Sequence, residues 1–126
     1  MREMLLLFSH TLNKAQELDA KESYGVESFV ILPDELQELW SSIPADMRDI
    51  SNYLQPIRDF VLQYAHSGNI ALVQGDFGAT YEMVNFCKSL DILPLYATTK
   101  RNVVEQTRDG KVVKTSVFEH VLFREY

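Results

Sequence analysis

A chain of 126 residues, 46% hydrophobic and 24% charged, has the size and composition of one globular domain with a single core. Its one cysteine excludes an internal disulfide framework and fits a reducing, cytoplasmic setting, and no apolar run approaches the roughly 18 residues of a membrane span. The net charge of −6 argues against a binder of duplex nucleic acid, but the charge is uneven: residues 1–96 carry 6 basic and 14 acidic side chains (−8), whereas residues 97–126 carry 6 basic and 4 acidic (+2).

Met4 to Ser9 reads as a first strand, apolar until Ser9-His10-Thr11 and too short for a signal sequence. Thr11 is suited to cap a helix running to about Ser23, its faces marked by Leu12, Ala15 and Leu18, and Gly25 stands where a left-handed C-terminal residue is wanted. Phe29 to Leu32 is a second, short strand. Pro33, followed by Asp34 and Glu35, opens a helix that carries Leu36, Leu39 and Trp40 and ends near Ser42. Pro44 opens a longer helical stretch to about His66, with Met47, Ile50, Leu54, Ile57, Val61 and Tyr64 as its apolar stripe. Pro56 predicts a kink there, or a division into two shorter helices.

Ile70 to Val73 is too short for a helix and suits a strand buried on both faces. It leads into Gly75-Asp76-Phe77-Gly78, where two glycines allow a sharp turn and close approach of the backbone to a ligand. From Ala79 to Ser89 the spacing becomes helical, with Met83, Phe86, Cys87 and Leu90 on one stripe. Ile92 to Ala97, entered through Pro94, is a fourth strand. Asn102 to Arg108 and Lys111 to Phe123 flank Asp109-Gly110, a strong two-residue hairpin signal. The expected fold class is α/β: a mainly parallel sheet flanked by helices, with an antiparallel β-hairpin at the C-terminal end.

Three segments follow predicted strands: Ser9-His10-Thr11, Gln74 to Thr80, and Thr98-Thr99-Lys100-Arg101. Parallel strands joined by helical crossovers bring their carboxyl ends to one side, so these segments are expected to converge. Hydroxyls, glycine backbone, an imidazole, a point charge and a guanidinium together are equipment for holding phosphates. Each piece also has a structural explanation. Ser9, Thr11 and Asp76 can be helix caps, Gly75 and Gly78 can serve a turn alone, His10 can be a hydrogen-bonded loop residue, and Phe77 can belong to the core or its rim. Lys100 and Arg101 can be a solvated pair.

Sharper motifs are absent. There is no Gly-x-x-x-x-Gly-Lys-Ser/Thr loop and no Gly-x-Gly-x-x-Gly fingerprint. His10, His66 and His120 lack metal-ligand spacing, and Cys87 lies on the apolar helix stripe, where packing explains it.

Leu-Phe-Ser-His-Thr near the start, Leu-Val-Gln-Gly-Asp-Phe-Gly-Ala-Thr in the middle, Tyr-Ala-Thr-Thr-Lys-Arg before the hairpin and the terminal Phe-Glu-His-Val-Leu-Phe-Arg-Glu-Tyr together resemble a family of small CRISPR-associated proteins. These are stand-alone proteins of type III systems, related to the nucleotide-sensing CARF domains, and the resemblance spans essentially the whole chain. It implies one Rossmann-like, CARF-like domain over residues 1–126, acting as a homodimer. It also implies a ring nuclease: an enzyme that linearises cyclic oligoadenylate, chiefly cyclic tetra-adenylate, and so switches off antiviral signalling.

In that chemistry the ribose 2′-hydroxyl attacks its own phosphate, so neither a metal nor another cofactor is required. On the resemblance His10 would be the general base or acid, and Lys100 and Arg101 would stabilise the charge that develops on phosphorus. Ser9, Thr11, Gln74, Gly75, Asp76, Phe77, Gly78, Thr80, Thr98 and Thr99 would contact the substrate. The alternatives are a protein that sequesters the ring without cleaving it and an unrelated α/β adaptor whose acidic helices bind a protein partner, a reading that exposed apolar patches on residues 33–64 would favour.

Overall fold

The computed structural model describes residues 2–126. In chain order they form β1 (Glu3–Leu7), α1 (Lys14–Tyr24), β2 (Ser28–Ile31), α2 (Asp34–Ser41), α3 (Gln55–Leu62), β3 (Ile70–Val73), α4 (Phe77–Ser89), β4 (Leu93–Arg108) and β5 (Lys111–Glu125). The sheet has five strands in the order β2-β1-β3-β4-β5; the first four are parallel and β5 is antiparallel to β4.

The uninterrupted apolar runs of β1 and β3 follow from burial on both sides of the sheet. Leu5, Leu7, Ala71 and Val73 face one core with α2, α3 and α4, filled by Trp40, Ile57, Val61, Met83 and Cys87. Met4, Leu6, Ile70 and Leu72 face the other, smaller core with Leu95, Phe123 and α1. Burial pushes the Cys87 thiol up to about 12, so it packs as a small apolar group.

Several local expectations change. Asn13, not Thr11, caps α1 in a reciprocal capping box with Gln16, and the buried stripe of α1 is Gln16 and Ala20, while Leu18 is exposed. Gly25 does adopt the left-handed conformation, with φ 66°. Of the stretch 44–66 only Gln55–Leu62 is α-helix. Pro56 does not interrupt that helix. It sits in its first turn, where a missing N–H costs nothing, and residues 43–54 form turns instead.

The largest difference lies at the end of the chain. Thr98-Thr99-Lys100-Arg101 are not a loop after a strand: β4 runs unbroken through them into the hairpin. It pairs with β3 only from Leu93 to Leu95, and beyond that with β5 alone, as far as Arg108 opposite Lys111. The result is a two-stranded ribbon closed by Asp109 and Gly110, both at positive φ as a tight hairpin turn requires. Side chains alternate between its faces: Val103, Val112 and Phe118 on one, Val104, Val113 and Val117 on the other, all exposed.

The root of the ribbon is tied to α1. His120 Nε2 lies 2.7 Å from Asp19 Oδ2 with its side chain only 3% exposed, and the Tyr24 hydroxyl donates to the Phe123 carbonyl. Burial alone raises the Asp19 carboxyl. The hydrogen bonds from Ser23 and His120, with the imidazole charge, outweigh it and hold the carboxyl below its ordinary 3.8.

A carboxyl depressed on folding stabilises the fold above its unfolded value and loses that contribution as pH falls through the lower folded value. Asp19→Asn should therefore cost about 1–3 kcal/mol at neutral pH. The gap between wild type and variant should close below pH 3.8. Thermal melts of both proteins across pH check this.

Candidate functional site

The carboxyl ends of β1, β2 and β3 open on one edge, and from β1 and β3 the chain leaves in opposite directions, through α1 to one side and through α4 to the other. In open α/β sheets a reversal of this kind leaves a crevice between the two strands. Here α2 closes much of it. Gln37 Nε2 donates to the Phe8 carbonyl at 2.8 Å, and Trp40 Nε1 donates to the Gln74 carbonyl at 3.0 Å. The Gln74 amide N–H donates to the Leu7 carbonyl, and its side-chain oxygen accepts from the Ala97 N–H at 2.8 Å. Gln74 is therefore largely committed to joining β1, β3 and β4.

Two cavities flank this closure. One, of about 350 Å³, lies beyond β1 and β2. Its buried apolar lining is Leu6, Leu12 and Leu32, Ile31 is exposed at its edge, and its polar lining is Ser9, His10, Thr11, Asp34, Gln37 and Glu17. Since Asn13 takes the capping role, the hydroxyls of Ser9 and Thr11 are not used as caps. The His10 ring is exposed and meets Phe8 edge-on at 5.4 Å. The second cavity, of about 390 Å³, lies beyond β3 and is lined by Gln74, Gly75, Phe77, Thr80, Tyr96 and Tyr126. The Tyr126 hydroxyl donates to the Val73 carbonyl, and burial, then the neighbouring Tyr96, keeps that phenol above its ordinary value.

The glycine turn has two different explanations. A Cβ on Gly75 would lie 2.8 Å from Trp40 Nε1 and 2.9 Å from Cε2, so a buried indole excludes any side chain there. Gly78 has only ordinary contacts at 3.5 Å, and neither residue has positive φ. Asp76 caps α4, accepting from the Ala79 N–H at 3.0 Å. Phe77 is neither core nor rim packing: it stands 95% exposed at the mouth of the second cavity, an open aromatic face. The buried Thr80 Oγ1 beside it has no hydrogen-bond partner among the described residues.

The third predicted segment is held apart. The Thr98 hydroxyl donates to the Leu122 carbonyl and accepts from the Leu122 N–H across a bulge. Thr99 stands opposite His120 and Lys100 opposite Glu119, and the Arg101 guanidinium bonds Ser116 Oγ. Neither cavity includes Lys100 or Arg101 in its lining. Within one chain, then, the edge gathers Ser9, His10 and Thr11 around one cavity and Gln74, Gly75, Phe77 and Thr80 around another, and leaves the two cations on the ribbon. Among the described residues no three His, Cys, Asp or Glu side chains group as metal ligands.

Sequence reasoning missed Trp40 as the closing residue, and with it Gln37, Asp34, Tyr96 and Tyr126. The only local signal was one tryptophan on a short helix with two prolines nearby.

The chain belongs to the family described as "Uncharacterized protein MJ1673 family", which matches residues 2–124. A relative bearing that description, the uncharacterized protein MJ1673 of Methanocaldococcus jannaschii, is 48% identical over 126 residues, covering 100% of this chain and 98% of its own. No solved structure matches.

Gly75→Ala should displace Trp40 and cost about 1–3 kcal/mol, as overpacking of a filled core does. Gly78→Ala, at an exposed helical position with room for a methyl, should instead raise stability by about 0.5–1 kcal/mol. Denaturant midpoints of the two variants separate these outcomes.

Proposed function

We propose that this member of the MJ1673 family is a cytoplasmic ring nuclease of type III CRISPR systems. In this reading the domain is Rossmann-like and CARF-like, and it acts as a homodimer that binds cyclic tetra-adenylate. The observation that supports it best is the carboxyl edge. There an exposed imidazole and two hydroxyls free of capping duties rim a cavity with an apolar floor, beside a second cavity bearing an open aromatic ring. Apolar floors and exposed aromatic faces suit nucleobases. Hydroxyls and helix-end N–H groups suit phosphates.

The reaction asks little covalent chemistry of the protein. The ribose 2′-oxygen attacks the adjacent phosphorus while the 5′-oxygen of the next nucleotide leaves. One proton passes from the 2′-hydroxyl to a base and one arrives on the departing oxygen, giving a 2′,3′-cyclic phosphate and a 5′-hydroxyl. The protein must hold the 2′-oxygen in line, which is an orientation effect. His10 takes or gives the proton. Lys100 and Arg101 stabilise the charge on phosphorus. Ser9, Thr11 and Thr80 orient phosphate or ribose, and Phe77 stacks on a base.

The separation of Lys100 and Arg101 from both cavities within one chain favours a second reading, in which the ring is bound and held without cleavage.

Incubation with cyclic tetra-adenylate and a chelator, with products resolved by chromatography and mass, should yield linear adenylates ending in a cyclic phosphate. His10→Ala should lower kcat by about 10²–10⁴ while the ring still binds. An intact ring that co-elutes with the protein selects sequestration, and absence of both binding and cleavage rejects the nucleotide reading.

A further inference from the structure

The ribbon raises a separate question. Past Leu95, β4 has β5 as its only partner, and a two-stranded ribbon without a covering layer is marginal in water. One face carries Val117, Val104 and Val113 on three successive rungs, with Leu122 nearer the root beyond the Lys100–Glu119 rung, each of the four at least 41% exposed. At about 3.3 Å per residue these rungs extend about 26 Å along the arm. At the root the same face continues into Tyr96 and the cavity whose mouth holds Phe77, so the apolar surface reaches the body of the protein. Three exposed valines on adjacent rungs beside a Lys100–Glu119 rung make a mixed apolar and charged face of the kind that partners cover.

We propose that this face of the β4–β5 ribbon is a dimerisation arm that lies across the carboxyl edge of a second copy of the chain. Two observations point to a second copy rather than a foreign partner. The first is charge: the C-terminal thirty residues carry +2 and the rest of the chain −8, so the arm of one copy complements the body of another. The second is incompleteness of the site. Lys100 stands on this arm and lines neither cavity of its own chain. A twofold exchange of arms brings each Lys100 to the partner's edge, and one isologous contact builds both sites. This second point rests on the ring-nuclease reading; the surface and charge arguments do not. Tyr81, 72% exposed on α4, is the aromatic anchor on the receiving body.

The test is oligomeric state, measured by sedimentation of the full chain without nucleotide. The wild type should sediment at twice the 14.5 kDa chain mass at micromolar concentration. Val104→Glu combined with Val117→Glu adds charge on exposed positions, so the melting profile should be kept while dimerisation weakens at least about tenfold. A wild type that sediments as one chain, or a folded double variant that stays dimeric, overturns the proposal. Should the double variant not fold, hydrogen exchange of the unmodified protein decides. Amide protection across residues 100–119 should rise with protein concentration, and protection independent of concentration overturns the arm. A dimer that leaves cyclic tetra-adenylate intact rejects the nuclease reading alone.

Discussion

The indole of Trp40 joins elements that the sheet alone would leave apart. Its Nε1 donates to the Gln74 carbonyl just past the end of β3, and its ring lies so close to Gly75 that no side chain fits there. Gln37, one turn earlier on α2, holds the Phe8 carbonyl just past the end of β1. Two side chains of one short helix thus satisfy the backbone where the two central strands leave the sheet, a place where unpaired carbonyls would otherwise be costly. Because α2 seats itself there, the crevice is divided into two cavities rather than left as one open groove. The glycine that looked made for a ligand is made for tryptophan.

That division shapes the chemistry. The first cavity keeps an imidazole and two hydroxyls on its rim, because a different residue, Asn13, caps α1. The second keeps an exposed phenylalanine and a buried threonine hydroxyl without a partner, beside a helix whose first turn is already capped by Asp76. Neither holds a cation of its own. The proposed cleavage of a phosphodiester would still require one, to stabilise negative charge developing on phosphorus.

The ribbon carries the complement of both deficits. It is positively charged where the body is negative, and apolar on faces that its own chain does not cover. Its root, in contrast, is firmly held: the Asp19–His120 pair and the Phe123 side chain fix β5 to α1 and the smaller core. A rigidly rooted arm with an uncovered tip presents its residues at a defined place, which suits it to completing a site in another molecule.

The sequence by itself determined the layer structure. Four-residue apolar runs such as Ile70–Val73 have no polar face to show and must be buried on both sides, and Asp109-Gly110 dictates a hairpin wherever it lies. The helix read over Ala79–Ser89, which begins two residues earlier at Phe77, and the left-handed Gly25 were legible for the same reason, since period and backbone preference are local properties. What only the tertiary structure decided was contact between distant segments. Thr11 and Asn13 compete for one cap, and the Gln16 side chain settles it. Thr98 to Arg101 lack an apolar period, yet they are strand because β5 pairs along one edge of them, and a ribbon wet on both faces requires no alternation. Gly75 reads as a ligand loop until Trp40, thirty-five residues away, is packed against it. Periodicity reports which face of an element is buried, and carries no record of which other element does the burying.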